Sequence, residues 1–136
     1  MAFLKNSRDC RLPSAPCFVL GDQVMLQQVV VNLVLNAFDA MADADTPADR
    51  RVLIEAVRGP AIVEISVRDS GPGVPVHLSG RLFEPFVTTK PNGLGLGLSI
   101  VSSIVAAHDG TVEVDSAPDR GSVFKVVLPL KGSLPE

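Results

Sequence analysis

The sequence contains no Trp and no Tyr, and all six of its aromatic side chains are Phe. Single-stranded nucleic acids are held by bases stacked on aromatic faces, so a stacking platform has little to be built from. Basic residues are also outnumbered, 12 against 15 acidic, for a formal net charge of −3. Duplex affinity rests on a dense basic footprint, and no nucleic-acid partner is expected. Cysteine is limited to Cys10 and Cys17. Their spacing matches no zinc motif, and we read them as two free thiols in a reducing compartment. No apolar run approaches the roughly 20 residues that span a bilayer, so no membrane contact is expected. Polar positions follow Met1–Lys5 closely, so a secretory leader is not expected either.

What is present suffices for one domain. With 136 residues, 46% of them hydrophobic, the chain can close one core and is short for two. Residues 1–17 show no period and read as a leader or linker remnant. Patterned sequence runs from 18 to 131, and 132–136 read as a tail. Asp22–Met41 is expected to be a helix, with Asp22 as N-cap and an apolar stripe through Leu26, Val30, Leu33, Ala37 and Met41. Arg51–Arg58 and Ile62–Asp69 read as an antiparallel hairpin around Gly59-Pro60. A Gly/Pro-rich turn follows at Ser70–Pro75. Leu96–His108 is apolar on a helical period and stops at Asp109-Gly110. Thr111–Ser116 and Val123–Leu130 alternate as two more strands. The economical architecture is a two-layer α/β sandwich, with a mixed, mostly antiparallel sheet packed against helices. The irregular stretch of about 20 residues before the second helix is longer than compact domains usually tolerate without a use.

Three constellations carry chemistry. Asn32 and Asn36 lie four apart on a helix, about 40° apart around its axis, and Asp39 shares their stripe. Such amides are either ordinary half-buried Asn residues bonded to backbone or hard oxygen ligands suited to Mg²⁺ and its phosphates. Asp69 continues the inward row of Val63, Ile65 and Val67. It either starts a turn or accepts from a donor such as the exocyclic amine of adenine, with Gly71 and Gly73 permitting close approach of a flat ring. Gly93, Gly95 and Gly97 open the second helix. They form either a hinge or a cradle that turns backbone N–H groups toward an anion. No Gly-Lys-Ser/Thr is present, which excludes a P-loop, and no convincing strand precedes the glycines as a dinucleotide fingerprint requires.

In this order the pieces resemble the GHKL ATPase superfamily, and specifically the catalytic domain of bacterial sensor histidine kinases. The resemblance covers Asp22 to Pro129. Gln28–Met41 resembles the N box, Asp69–Gly73 the first glycine box, Leu82–Phe86 the F box, Gly93–Ile100 the second glycine box and Gly121–Pro129 the last. The wording of the N box and of Phe83–Lys90 is most similar to the nitrogen- and oxygen-sensing subgroup. The resemblance implies a Bergerat sandwich with a long ATP lid, and ATP and Mg²⁺ as cofactors. It implies that Asn36 coordinates the metal with Asn32 assisting, and that Asp69 reads adenine with Gly71 and Gly73 beside the base. Phe83 and Phe86 would anchor the lid, Gly93, Gly95, Gly97 and Leu98 would cradle phosphate, and Ser122 would reach the base through water. The implied partners are a histidine-containing dimerisation domain of the same kinase and a response-regulator receiver domain. The implied location is cytoplasmic, whether or not the whole protein is membrane-anchored.

Two departures matter. Hydrolase branches of the superfamily carry Glu at the position of Asn32, and an amide cannot act as general base. Slow hydrolysis and transfer to a positioned acceptor are therefore expected. Many histidine kinases place Lys three residues after the metal Asn. Here Asp39 stands there, and Lys90 is the candidate for meeting phosphate. Neither His77 nor His108 has the acidic neighbour and helical setting of a phosphoacceptor, and His108 reads as a structural cap or core residue. The alternatives are a hydrolysing machine of the chaperone or gyrase type, a serine-directed kinase, and a nucleotide-binding module without catalysis.

Overall fold

A computed structural model describes residues 10–11, 18–41, 51–71, 73–74, 80–84, 97–116 and 121–131. Its elements are β1 (Cys10–Arg11), α1 (Gln23–Met41), β2 (Val52–Arg58), β3 (Ile62–Asp69), α2 (Gly97–Ala107), β4 (Thr111–Ser116) and β5 (Ser122–Pro129). The strands form one sheet in the order β1-β2-β3-β5-β4. The β1–β2 pair is parallel and the other pairs are antiparallel. The stretch read as a leader or linker remnant thus contributes the edge strand β1.

Strand alternation decides which face is covered. Along β5, Phe124, Val126 and Leu128 are buried, as expected, and their neighbours are only half-buried. Register sets Phe124 opposite Val67 and Leu128 opposite Val63 on β3. Both helices lie on this face and pack against each other. Leu33 and Val34 of α1 meet Val101 and Val105 of α2 in the same core as Val67 and Val126. The other face carries a polar row, Glu55, Ser66, Lys125 and Glu113, aligned across four strands. One covered face and one polar face make the two-layer sandwich.

The buried face of α1 is Val29, Leu33, Val34, Ala37 and Met41, with Leu26, Val30 and Phe38 at its margins. Asp22 caps it: Oδ1 accepts from the Met25 amide at 3.0 Å, and the Asp22 carbonyl accepts from the Leu26 amide at 3.0 Å. Asp22→Ala is expected to destabilise the domain by about 1 kcal/mol. Urea unfolding should show a lower midpoint at unchanged slope. Among the described residues, α1 is long and apolar enough to cross a membrane by length and composition. This departs from the expectation that no apolar run approaches the length of a bilayer span. Here the helix lies across the sheet with its inner face in the core.

α2 ends at the expected Asp109-Gly110. Asp109 adopts a left-handed φ of 60°. The Gly110 amide returns to the Val105 carbonyl at 2.9 Å, and the Asp109 amide to that of Ala106 at 3.1 Å. Two orphan carbonyls of the last turn are satisfied in this way.

Candidate functional site

Asp69 ends the central strand on the helix-covered face and is only 3% exposed. Its Oδ1 accepts from the Gly71 amide at 2.9 Å. Burial pushes its carboxyl pKa above the ordinary 3.8, while the backbone N–H groups of Gly71 and Ser122 pull it back. A carboxylate has more acceptor sites than these two donors fill, so capacity remains for a further donor.

The β4–β5 hairpin holds this corner. Gly121 has a φ of 79°, and a Cβ there would overlap the Asp69 carbonyl. The Ser116 hydroxyl accepts from the Val74 amide at 2.7 Å and lies 3.1 Å from the Ser122 hydroxyl. It also reaches the Gly121 carbonyl at 3.3 Å. Ser122 is buried, and its hydroxyl is oriented by Ser116. Gly73, between Gly71 and Val74, has a φ of 84°. The first glycine segment is therefore pinned at both ends, by Asp69 and by Ser116.

α1 connects this corner to the second glycine segment. A Cβ on Gly71 would lie 3.1 Å from the Ala40 carbonyl, so the turn after β3 rests on the last turn of α1. Asn36 is one turn back from Ala40, and Asn32 one turn further. The Asn32 amide donates to the Gly97 carbonyl at 3.3 Å, and its Oδ1 accepts from the Gln28 side chain at 2.8 Å. From Ala40 to Asn32 the axial distance is about 12 Å. Asp69, Asn36 and Gly97 are thus strung along one flank of α1, in that order.

Each station offers different chemistry. Asn36 is half-buried, and among the described residues its carboxamide has no hydrogen-bond partner. Asn32 serves as a strut between α1 and α2, with one lone pair left on its oxygen. Gly97 begins α2, and among the described residues a Cβ there would meet nothing within 4 Å. Packing among the described residues does not require glycine at 97. The first-turn N–H groups of α2 have no carbonyl partner within the helix and face an anion favourably. Leu98 turns its side chain into the core, so its backbone is what remains to contact a ligand.

Phe83 packs on the core and meets Phe124 edge-on, ring centroids 6.2 Å apart at 87°. Leu82 beside it is buried. Phe83 is thereby tied to β5. Phe86, Lys90, Gly93 and Gly95 lie outside the described residues, as does His77. His108 is placed as a cap at the far end of α2, not at this flank. Sequence reasoning missed Ser116. A serine closing an alternating strand carries no one-dimensional sign that it will reach Val74.

The comparisons with known proteins agree with this fold. Residues 21–132 match the family described as histidine kinase-, DNA gyrase B- and HSP90-like ATPases. Sporulation kinase A of Bacillus subtilis (strain 168) is 40% identical over 114 residues, which is 84% of this chain and 18% of that protein. The sensory histidine kinase/phosphatase NtrB of Rhizobium meliloti (strain 1021) is 39% identical over 133 residues, covering 88% of this chain and 33% of that protein. This chain therefore spans a third or less of the length of these two relatives. The solved structure of full-length ShkA in complex with AMPPNP superposes with a TM-score of 0.75 at 33% identity, covering 90% of this chain and 25% of that one. The motif order, the sandwich and these matches agree, and the chain belongs to the histidine kinase-, DNA gyrase B- and HSP90-like ATPase family.

Proposed function

We propose that this chain is the ATP-binding catalytic domain of a sensor histidine kinase. It would transfer the γ-phosphoryl group of Mg²⁺-ATP to a histidine on a separate dimerisation domain of the same kinase. A response-regulator receiver domain would be the later recipient. Residues 18–131 would form the catalytic domain, with 1–17 as a leader or linker remnant whose residues 10–11 add an edge strand to its sheet and 132–136 as a tail. The whole protein would place this domain in the cytoplasm. The observation that carries the reading is the row Asp69–Asn36–Gly97 along α1. It orders an acid suited to reading the base, a hard amide oxygen and a helix N-terminus as the parts of a nucleotide are ordered.

The residues fit the metal as well as the nucleotide. Among the described residues no group of three or more His, Cys, Asp or Glu gathers to hold a cation. Mg²⁺ commonly takes one or two protein ligands, with phosphate oxygens and waters for the rest, and the Asn36 amide meets that need. Bound there, the metal would neutralise charge on the β- and γ-phosphates. Asp69 accepts from the adenine amine, Gly71 and Gly73 pack by the base, and Ser122 reaches it through water. The α2 N-terminus holds phosphate oxygens, with Gly93, Gly95 and Lys90 contributing from the lid. Phosphoryl transfer asks mainly for positioning and electrostatics, which this set supplies. Asn32 cannot take a proton from water, so hydrolysis by the isolated chain should stay near background.

The test is calorimetric titration with AMPPNP, with and without Mg²⁺, on wild type and Asn36→Ala. Wild type should bind about tenfold more tightly with the metal, and the variant should lose most of that gain. An equal metal effect in both proteins would remove Asn36 from the metal. No binding by the wild type would end the nucleotide reading. Phosphoryl transfer to an added histidine-bearing domain, absent from the Asn36→Ala protein, distinguishes a kinase from a binding module.

A further inference from the structure

His108 joins the two helices that carry the site. Its Nε2 accepts from the Asp22 amide at 3.0 Å, and its Nδ1 lies 2.7 Å from the Ile104 carbonyl. A carbonyl only accepts and an amide N–H only donates. The ring is therefore neutral, with the proton on Nδ1 and the lone pair on Nε2. In many helices the N-cap amide is satisfied by a Glu or Gln at the third helical position. Here that position is Met25, which offers no acceptor. The missing acceptor comes from the other helix.

Local sequence makes room for it. A Cβ on Gly21 would overlap His108 Cδ2 and lie 2.7 Å from Nε2. Only a residue without a side chain at 21 lets the imidazole reach the amide of residue 22. At the opposite end of α2, Asn32 holds the Gly97 carbonyl at 3.3 Å. The two ties are separated by the length of α2, about 15 Å. Between them Val101, Ile104 and Val105 are buried against the core. Apolar burial is non-directional: it fixes the spacing of the helices more firmly than their sliding. The directional ties at the two ends set the slide.

We propose that His108 is a positioning residue for nucleotide binding, capping α1 from the end of α2 and so fixing Gly97 relative to Asn36. This rests on the nucleotide reading above, because Gly97 and Asn36 are taken there as the phosphate and metal contacts. Freed from His108, α2 can shift along α1, and the N–H groups of its first turn move off the line that Asn36 defines.

Three variants separate this role from general stabilisation. In His108→Gln a carboxamide oxygen reaches the place of Nε2 and can accept from the Asp22 amide. In His108→Asn the side chain reaches only the place of Nδ1, keeping the Ile104 contact and losing the cross-helix one. Gly21→Ala displaces the intact ring. Affinity for Mg²⁺-AMPPNP is measured well below the melting temperature. The NMR resonances of the Asn32 side-chain amide and the Gly97 amide are followed in the free protein.

His108→Asn and Gly21→Ala should each weaken binding about three- to tenfold and shift both resonances. His108→Gln should stay within about twofold of wild type, and the Gly21→Ala/His108→Asn double variant should bind no worse than either single one. Wild-type affinity in His108→Asn, equal losses in His108→Asn and His108→Gln, or unmoved resonances in a folded His108→Asn would each overturn the proposal. If the wild type binds no AMPPNP, the nucleotide reading falls instead. Shifted Asn32 and Gly97 signals would then still establish the tie, and unshifted ones would refute it.

Discussion

Asp69→Asn is expected to weaken binding of ATP analogues by about ten- to a hundredfold while leaving the domain at least as stable as wild type. The two halves of that result come from one geometry. Asp69 Oδ1 is engaged by the Gly71 amide. Asn can keep the bonds from the Gly71 and Ser122 amides only by giving the two lone pairs of its one oxygen to both. Its NH₂ then faces the position of the adenine amine, donor against donor. Losing a hydrogen bond to a charged acceptor is worth roughly 1.5–3 kcal/mol, which sets the range. Stability moves the other way. The folded pKa of Asp69 is raised by burial, so the folded protein holds that proton more readily than the unfolded chain. Ionised Asp69 therefore costs stability above its folded pKa, and the cost is relieved as pH falls from there toward 3.8. Asn carries no such charge. Its stability advantage over wild type should be largest at neutral pH and shrink with acidification, read by thermal melts across pH. Selectivity should change too: wild type should prefer ATP over GTP, since guanine presents a carbonyl where adenine presents an amine. Unaltered affinity and selectivity in the Asn variant would leave Asp69 as a turn residue only.

Gly121→Ala should cost about 2–4 kcal/mol of folding stability and take nucleotide binding down with it. The backbone at 121 is left-handed, which L-side chains resist, and the added methyl would overlap the Asp69 carbonyl. Relief requires moving β5 away from the end of β3, where Asp69 pairs with Ser122. That shift would displace the acid, the Ser122 hydroxyl and its Ser116 partner together. Urea unfolding and AMPPNP titration on the same preparation should both change. A protein with the wild-type midpoint would mean the hairpin tolerates the overlap by yielding elsewhere, and the account of this corner would be wrong.

Much of this was legible because the patterned elements are long enough to show their period. β3 could be read with its facing, and Asp69 fell inward by parity alone. Asp22 announced α1, and Asp109-Gly110 announced the end of α2. What was not legible is of another kind. Two residues cannot display a period, so β1 went unread. The adjacency of β3 and β5, two hairpins apart, has no local signature. The links Asn32–Gly97, Ser116–Val74 and His108–Asp22 join residues 65, 42 and 86 positions apart. Each is made by a short polar side chain meeting backbone, and only the assembled packing brings them within reach. His108 reads from its place at a helix end as a structural cap or a core residue. That it caps a different helix required the third dimension.

The strand order also has a kinetic consequence. The middle of the sheet joins residues near 65 to residues near 125, so the core cannot close until the last strand of the domain has left the ribosome. Until then β3 presents an unpaired edge and α1 a naked apolar face, an invitation to chaperones or to aggregation. Non-local pairing of this sort slows folding by the entropy of closing the intervening loop. Refolding should be unimolecular but slower than that of a helical bundle of similar size, and a fragment cut before Ser122 should be insoluble.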